Sequence, residues 1–201
     1  MKRFGTAVIL AGGKSSRMGF DKQLLKIDER RLIDNLRIKL RQEFDEIIVV
    51  TNNSQYYLGF SDKIIKDIIV GKGPLSGIHA GLKEAKSRYV YFVACDMPNI
   101  NIEYIRFLKR ELKDLNVKAC VTRYKGWIEA FNAFYSGDMI EDIEKHLSGN
   151  QRSVNSLVAE VSTHYIEEEK AREFSPNWDM FLNLNTRDDL RNFLRTIENR
   201  D

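Results

Sequence analysis

TAVILAGGKSSRMGFDKQLL, residues 6–25, is the stretch that decides the fold. Its first five residues form an apolar, β-prone run that passes straight into Gly12-Gly13, then two serines, an arginine, a further glycine and a lysine. A buried strand ending in a glycine-rich, cation-bearing loop is a common phosphate holder in α/β proteins. Glycine lets main-chain N–H groups approach an anion with no Cβ in the way. Lys14, Arg17 and Lys22 place three cations within nine residues, and these repel one another unless they are solvated or face an anion. The loop is not a P-loop: Gly13-Lys14-Ser15 has the right ending, but the pattern requires glycine at position 8, which is Val8. Nor is it the dinucleotide fingerprint, since its glycines stand at 12, 13 and 19.

Outward from this loop, strand-like and helix-like segments alternate. Leu32, Leu36 and Leu40 share one face of an amphipathic stretch over residues 32–43. Buried-strand runs follow at 46–51 (EIIVVT) and, after a shorter apolar piece at 63–69, at 89–94 (YVYFVA). A helix is expected over 75–85 behind the turn Gly71-Lys72-Gly73-Pro74, another over 102–112, and a strand over 118–123. The alternation predicts a three-layer α/β fold with a mostly parallel central sheet flanked by helices. The pattern is less regular after residue 126, where 131–135 reads as a strand, 139–147 as a helix, 153–158 as a short amphipathic piece and 163–166 as an edge strand. The run Glu167-Glu168-Glu169-Lys170 reads as a solvated face, and 187–197 as a terminal helix. There is no internal repeat or linker, so residues 1–201 are expected to form a single domain.

Composition narrows the class. The chain has 201 residues, 43% hydrophobic and 30% charged, which is ordinary for a globular protein. A net charge of +3, without an aromatic-basic surface pattern, argues against a nucleic-acid partner and suits a small anionic substrate. Its apolar runs are strand-length, too short for a membrane span, and MKRFGT enters the first strand with no room for a signal peptide. Cys95 and Cys120 form neither a C-x-x-C pair nor a disulfide framework, so a reduced, cytoplasmic protein is expected. His79, His146 and His164 lack the spacing of a zinc site.

The second chemistry-bearing loop is Cys95-Asp96-Met97-Pro98, in which an acid follows six residues of apolar strand. Open parallel sheets bind ligands outside the carboxyl ends of their strands, and Mg²⁺ is held by one or two carboxylates plus substrate phosphates. Alone, Asp96 reads first as an N-cap or turn residue before Pro98. Paired with the first loop, it points to a metal-nucleotide site.

Leu10-Ala11-Gly12-Gly13-Lys14-Ser15-Ser16-Arg17-Met18-Gly19-Phe20-Asp21-Lys22-Gln23-Leu24-Leu25 resembles the signature of the molybdenum cofactor guanylyltransferases, within the Rossmann-like nucleotidyltransferases. The resemblance extends in order through Gly73-Pro74-Leu75-Ser76-Gly77-Ile78, Cys95-Asp96-Met97-Pro98 and Asn183-Leu184-Asn185-Thr186, and so spans nearly the whole chain. A-G-G with G-P-L-x-G-I leans towards guanylyl transfer, since cytidylyl relatives resemble A-A-G in the first loop.

The resemblance implies transfer of GMP from GTP to the terminal phosphate of molybdopterin, with Mg²⁺ and loss of pyrophosphate. It implies that the backbone of Leu10, Ala11, Gly12 and Gly13 holds the nucleotide, that Arg17 and Lys22 neutralise the triphosphate, and that Asp96 binds Mg²⁺. Asp67 corresponds to an acid near the guanine-nucleotide site, though an exposed strand-end role is open. Asn183 and Asn185 correspond to second-substrate residues, though capping of the last helix by Asn185 or Thr186 is open. Gly77 and Gly81 suit close approach to a ligand or to a sheet. Transient contact with a molybdenum-insertion protein and with acceptor molybdoenzymes is also implied. The chain departs from the family pattern at Thr51, at Ala130-Phe131 and at Arg187. The alternatives are CTP or another phosphorylated acceptor with the same first loop, and a nucleotide-binding protein without catalysis.

Overall fold

The strand at the head of the decisive stretch is buried from residue 5 to residue 10, which requires cover on both faces. The computed structural model, which describes residues 2–12, 22–27 and 29–198, supplies it. In chain order the elements are β1 (Lys2–Leu10), β2 (Lys26–Ile27), β3 (Arg30–Arg31), α1 (Leu32–Leu40), β4 (Glu46–Val50), β5 (Lys63–Ile65), α2 (Pro74–Glu84) and β6 (Ser87–Ala94). There follow α3 (Ile102–Glu111), β7 (Ala119–Tyr124), β8 (Trp127–Ser136), α4 (Ile140–Ser148), α5 (Val154–Glu160), β9 (Thr163–Ile166), α6 (Glu168–Arg172) and α7 (Arg187–Glu198). Seven strands form one mixed sheet in the order β5-β4-β1-β6-β8-β7-β9. Its strands run parallel except β8, which is antiparallel to both β6 and β7.

Alternate residues of β1 enter opposite layers, as the pleat dictates. Ala7 and Ile9 pack with Leu36 and Leu40 of α1 and Tyr104 and Leu108 of α3. Val8 and Leu10 pack with Leu75 and Ile78 of α2, Ile143 of α4 and Leu157 of α5. A third cluster joins Leu25, Ile27 and Leu32 to Leu184 and Phe193. That cluster fixes the terminal helix against the small β2–β3 ladder.

Several boundaries differ from expectation. The piece at 63–69 is strand only over Lys63–Ile65. The run at 131–135 belongs to a ten-residue strand that turns back on β7 through Lys125-Gly126, both at positive φ (48° and 81°). Two residues of that handedness make a tight hairpin whose twist matches the strands it joins. The acidic run 167–170 is not merely a solvated face: it opens α6, which buries Ala171. No described helix is long and apolar enough to cross a membrane.

Gly77 and Gly81 are helix–sheet contacts. A Cβ on Gly77 would stand 2.8 Å from Leu10 Cδ2, and one on Gly81 2.8 Å from Phe92 Cε1 and 3.0 Å from Val8 Cγ1. Phe92 is fully buried and its ring cannot yield, whereas Leu10 ends in a rotatable isobutyl group at the strand terminus. Gly81→Ala is therefore expected to lower stability by about 1–3 kcal/mol through overpacking, despite a gain in helix propensity of about 1 kcal/mol. Gly77→Ala should cost less, a ranking that urea midpoints of the two variants would check.

Candidate active site

Four strands end at one edge of the sheet. Leu10 lies opposite Val50 and Ala94, and Val50 opposite Ile65. Past those ends the chain stays tied: Ala11 N–H donates to Val50 O (2.8 Å), Thr51 N–H to Ile65 O (2.9 Å) and Cys95 N–H to Leu10 O (3.0 Å). Leu10, Ala11, Gly12, Asn52, Asp67 and Asp96 therefore rim a common mouth. Among the described residues, nothing lies within 4 Å of where a Gly12 Cβ would stand. Gly13 and Arg17, and the side chain of Lys22, lie outside the described residues.

Asp96 occupies the turn after β6 and is 9% exposed. Its carbonyl accepts a hydrogen bond from Leu184 N–H (2.9 Å), which brings Asn183-Leu184-Asn185-Thr186 directly onto the strand end. Among the described residues no group of three or more His, Cys, Asp or Glu gathers as a metal site. One strand-end carboxylate at an open mouth fits Mg²⁺ completed by substrate phosphates, and does not fit a cation caged by protein alone.

Asp67 lies two residues past β5 and accepts from Asn52 Nδ2 (3.1 Å). Asn183 turns its amide back on Phe181 O (2.9 Å). Thr186 is the cap of α7: Asp189 Oδ2 accepts from the Asn185 and Thr186 N–H groups (3.0 and 2.8 Å), and Asp189 N–H donates to Thr186 Oγ1 (3.1 Å). This reciprocal arrangement is a capping box.

Three residues of the mouth escape a reading of the sequence. Gln23 is 4% exposed, and its Oε1 accepts from both Thr51 Oγ1 (2.7 Å) and Tyr57 OH (2.9 Å). These bonds clamp the turn at Lys22–Leu24 to the end of β4. Asn132 sits inside β8 at φ 59°, a left-handed kink of the kind that re-aims a strand. Its side chain accepts from Tyr91 OH (2.6 Å) and donates to Met180 O (3.2 Å). Glu129 accepts from Trp178 Nε1 (3.0 Å). Burial pushes its carboxyl above the usual range, against the indole hydrogen bond. Residues 178–184 thus cross the mouth as one strip, pinned at Glu129, Asn132 and Asp96.

The histidines serve packing. His79 faces Glu144 (2.9 Å), His146 faces Ser156 (3.0 Å) and His164 faces Glu111 (3.0 Å). Cys95 and Cys120 are buried.

Residues 7–165 match the family described as the MobA-like NTP transferase domain. The chain is 50% identical over 193 residues to the molybdenum cofactor guanylyltransferase of Syntrophotalea carbinolica, covering 96% of this chain and 92% of the relative. It is 49% identical over 202 residues to the probable molybdenum cofactor guanylyltransferase of Peptoclostridium acidaminophilum (98% and 91% covered). The crystal structure of molybdopterin-guanine dinucleotide biosynthesis protein A from Archaeoglobus fulgidus superposes with a TM-score of 0.86 at 23% identity, covering 96% of this chain and 99% of that one. At that identity the likeness bears on the fold.

Proposed function

Because this chain belongs to the MobA-like NTP transferase family, we propose that it transfers GMP from GTP to the terminal phosphate of molybdopterin, working as one nucleotidyltransferase domain. The observation that carries the reading is the Leu184–Asp96 tie, which joins the acceptor-side motif to a strand-end acid at the nucleotide mouth. An oxygen of the acceptor phosphate attacks the α-phosphorus, the bond to the β-phosphate oxygen breaks, and pyrophosphate leaves with that electron pair. Such a displacement asks the protein for positioning and charge neutralisation.

In this reading the backbone of Leu10, Ala11, Gly12 and Gly13 cradles the nucleotide, with N–H groups at the phosphates. Arg17 and Lys22 neutralise charge on the triphosphate and on the departing pyrophosphate. Asp67, steadied by Asn52, faces the guanosine side. Asp96 holds Mg²⁺. The chemistry supplied by that bound ion is neutralisation of phosphate charge at the reacting centre. Asn183 and Asn185 lie on the acceptor side. Encounters with a molybdenum-insertion protein and with acceptor molybdoenzymes would load and unload that side.

Gln23 ties the 22–24 turn to the end of β4. Gln23→Ala removes the acceptor that two buried hydroxyls share, costing about 1–3 kcal/mol, and is expected to raise KM for GTP about tenfold through a looser hold of the 22–24 turn on β4. Steady-state kinetics at saturating acceptor check this, since a purely structural role would lower stability and leave KM unmoved.

Calorimetry with GTP, CTP and ATP, with and without Mg²⁺, tests the reading itself. Selective, Mg²⁺-dependent GTP binding is expected. Preference for CTP would move the protein to the cytidylyl relatives, and binding of none would overturn the role of the first loop.

A further inference from the structure

Glu129 is a half-buried acid for which the fold provides little. Trp178 Nε1 is its one hydrogen-bond donor among the described residues, and no described cation pairs with it. Among the described residues its second oxygen, Oε2, takes no hydrogen bond. The nearby cation is turned elsewhere: Arg172 bonds Glu168 and Pro176 O and lies over the Trp178 ring, 5.1 Å from its centroid. A carboxylate withdrawn from water without a cation is costly unless donors arrive.

The surrounding chain holds this acid rigidly. Trp178 has left-handed backbone (φ 66°, ψ 14°), which a bulky residue adopts only under constraint. Its ring is wedged between Tyr124 (centroids 4.5 Å apart) and Phe181 (4.7 Å). Glu129 also lies on the acceptor side. It stands four residues before Ala133, and Asp96 four residues after Phe92, the residue paired with Ala133. Glu129, still within β8, and Asp96, just past β6, therefore lie at the same end of neighbouring strands, whereas Asn52 and Asp67 lie on the far side of β1.

An oxygen with no described donor beside a partly used one, with no described cation bonded to either, suits a neutral ligand that offers two adjacent N–H groups. Each carboxylate oxygen has two lone pairs, so Oε1 can keep the indole and still accept a second donor. A 2-amino-4-oxo pteridine presents that pair, its ring N–H next to its exocyclic amino group. We propose that Glu129 recognises the acceptor's pterin ring through this edge, with Trp178 as the residue that positions it. The assignment rests on the reading of the protein as a molybdopterin guanylyltransferase.

The test compares pterin-6-carboxylate with lumazine-6-carboxylate, in which the 2-amino group is an oxo group and one donor becomes an acceptor. Calorimetry of the full chain is expected to give at least tenfold tighter binding of the pterin to wild type. Glu129→Gln, which offers one acceptor and one donor, should lose that preference or reverse it, with GTP affinity unchanged within twofold. Glu129→Asp, which keeps the charge but retracts it, should weaken the pterin and keep the preference, and serves if Glu129→Gln does not fold. A pterin preference that survives in Glu129→Gln, or its absence in wild type, would overturn the assignment. In the transfer reaction Glu129→Gln should raise KM for molybdopterin at least tenfold with KM for GTP unmoved. Wild-type transfer with acceptor KM unaltered in Glu129→Gln would sink this assignment alone. A wild type that transfers nothing to molybdopterin would sink the underlying reading and this assignment with it.

Discussion

Asp96→Ala is expected to lower kcat/KM for guanylyl transfer about a thousandfold, the loss of about 4 kcal/mol of charge stabilisation at the reacting phosphates. The fold should tolerate the change. Leu184 N–H bonds the backbone carbonyl of Asp96, and alanine retains that carbonyl. The acceptor-side strip therefore stays on the strand end while the proposed metal ligand is gone. Two readouts separate these effects. The thermal midpoint should move little, and the Mg²⁺ dependence of GTP binding should disappear. Activity within tenfold of wild type would mean that the metal, if used, is held elsewhere.

The largest expected loss of stability is at Asp62, which has no chemistry to perform. Its carboxylate is fully buried in the loop before β5 and pairs with both Arg37 and Arg41 of α1. Arg37 also lies over the Phe60 ring, 3.7 Å from its centroid, and bonds Asp34 (3.2 Å). Removing one member of a buried ionic group leaves the other charges without compensation, typically a cost of 3–5 kcal/mol. Arg41 is 45% exposed and can swing into water, so Asp62→Ala should cost about 3 kcal/mol. In a chain of this length that lowers the thermal midpoint by about 6–12 °C. The loop it anchors carries Tyr57, a partner of Gln23. Amide exchange over residues 54–62 should accelerate with the loss, and unaltered exchange there would show that the ion group does not hold the loop.

What the sequence discloses depends on how local the cause is. β1, β4 and β6 are continuous apolar runs because both faces of each are covered, and the signal lies within the run. The reversal at β8 was encoded only in Lys125-Gly126, since strand direction depends on a turn and not on strand composition. The β2–β3 ladder is two residues long on each side, too short to give a period. α6 reads as a solvated run because Ala171 is the one buried residue in it.

The mouth divides in the same way. Leu10, Ala11, Gly12 and Asp96 are legible because they follow strands. Gln23, Glu129 and Asn132 are not, because each acquires its place from a partner 28 to 49 residues away. Gly77 and Gly81 were visible as glycines. Only the position of Leu10, Val8 and Phe92 against α2 shows that the sheet, rather than a ligand, requires them.

The most direct measurement is the reaction itself: purified protein with GTP, Mg²⁺ and molybdopterin, followed by identification of the pterin product and of released pyrophosphate. The expected result is a guanine dinucleotide of molybdopterin formed in one-to-one ratio with pyrophosphate, with CTP giving less than a hundredth of the rate, a difference of about 2.7 kcal/mol. A cytidine product, or pyrophosphate release with the pterin unmodified, would contradict guanylyl transfer to molybdopterin.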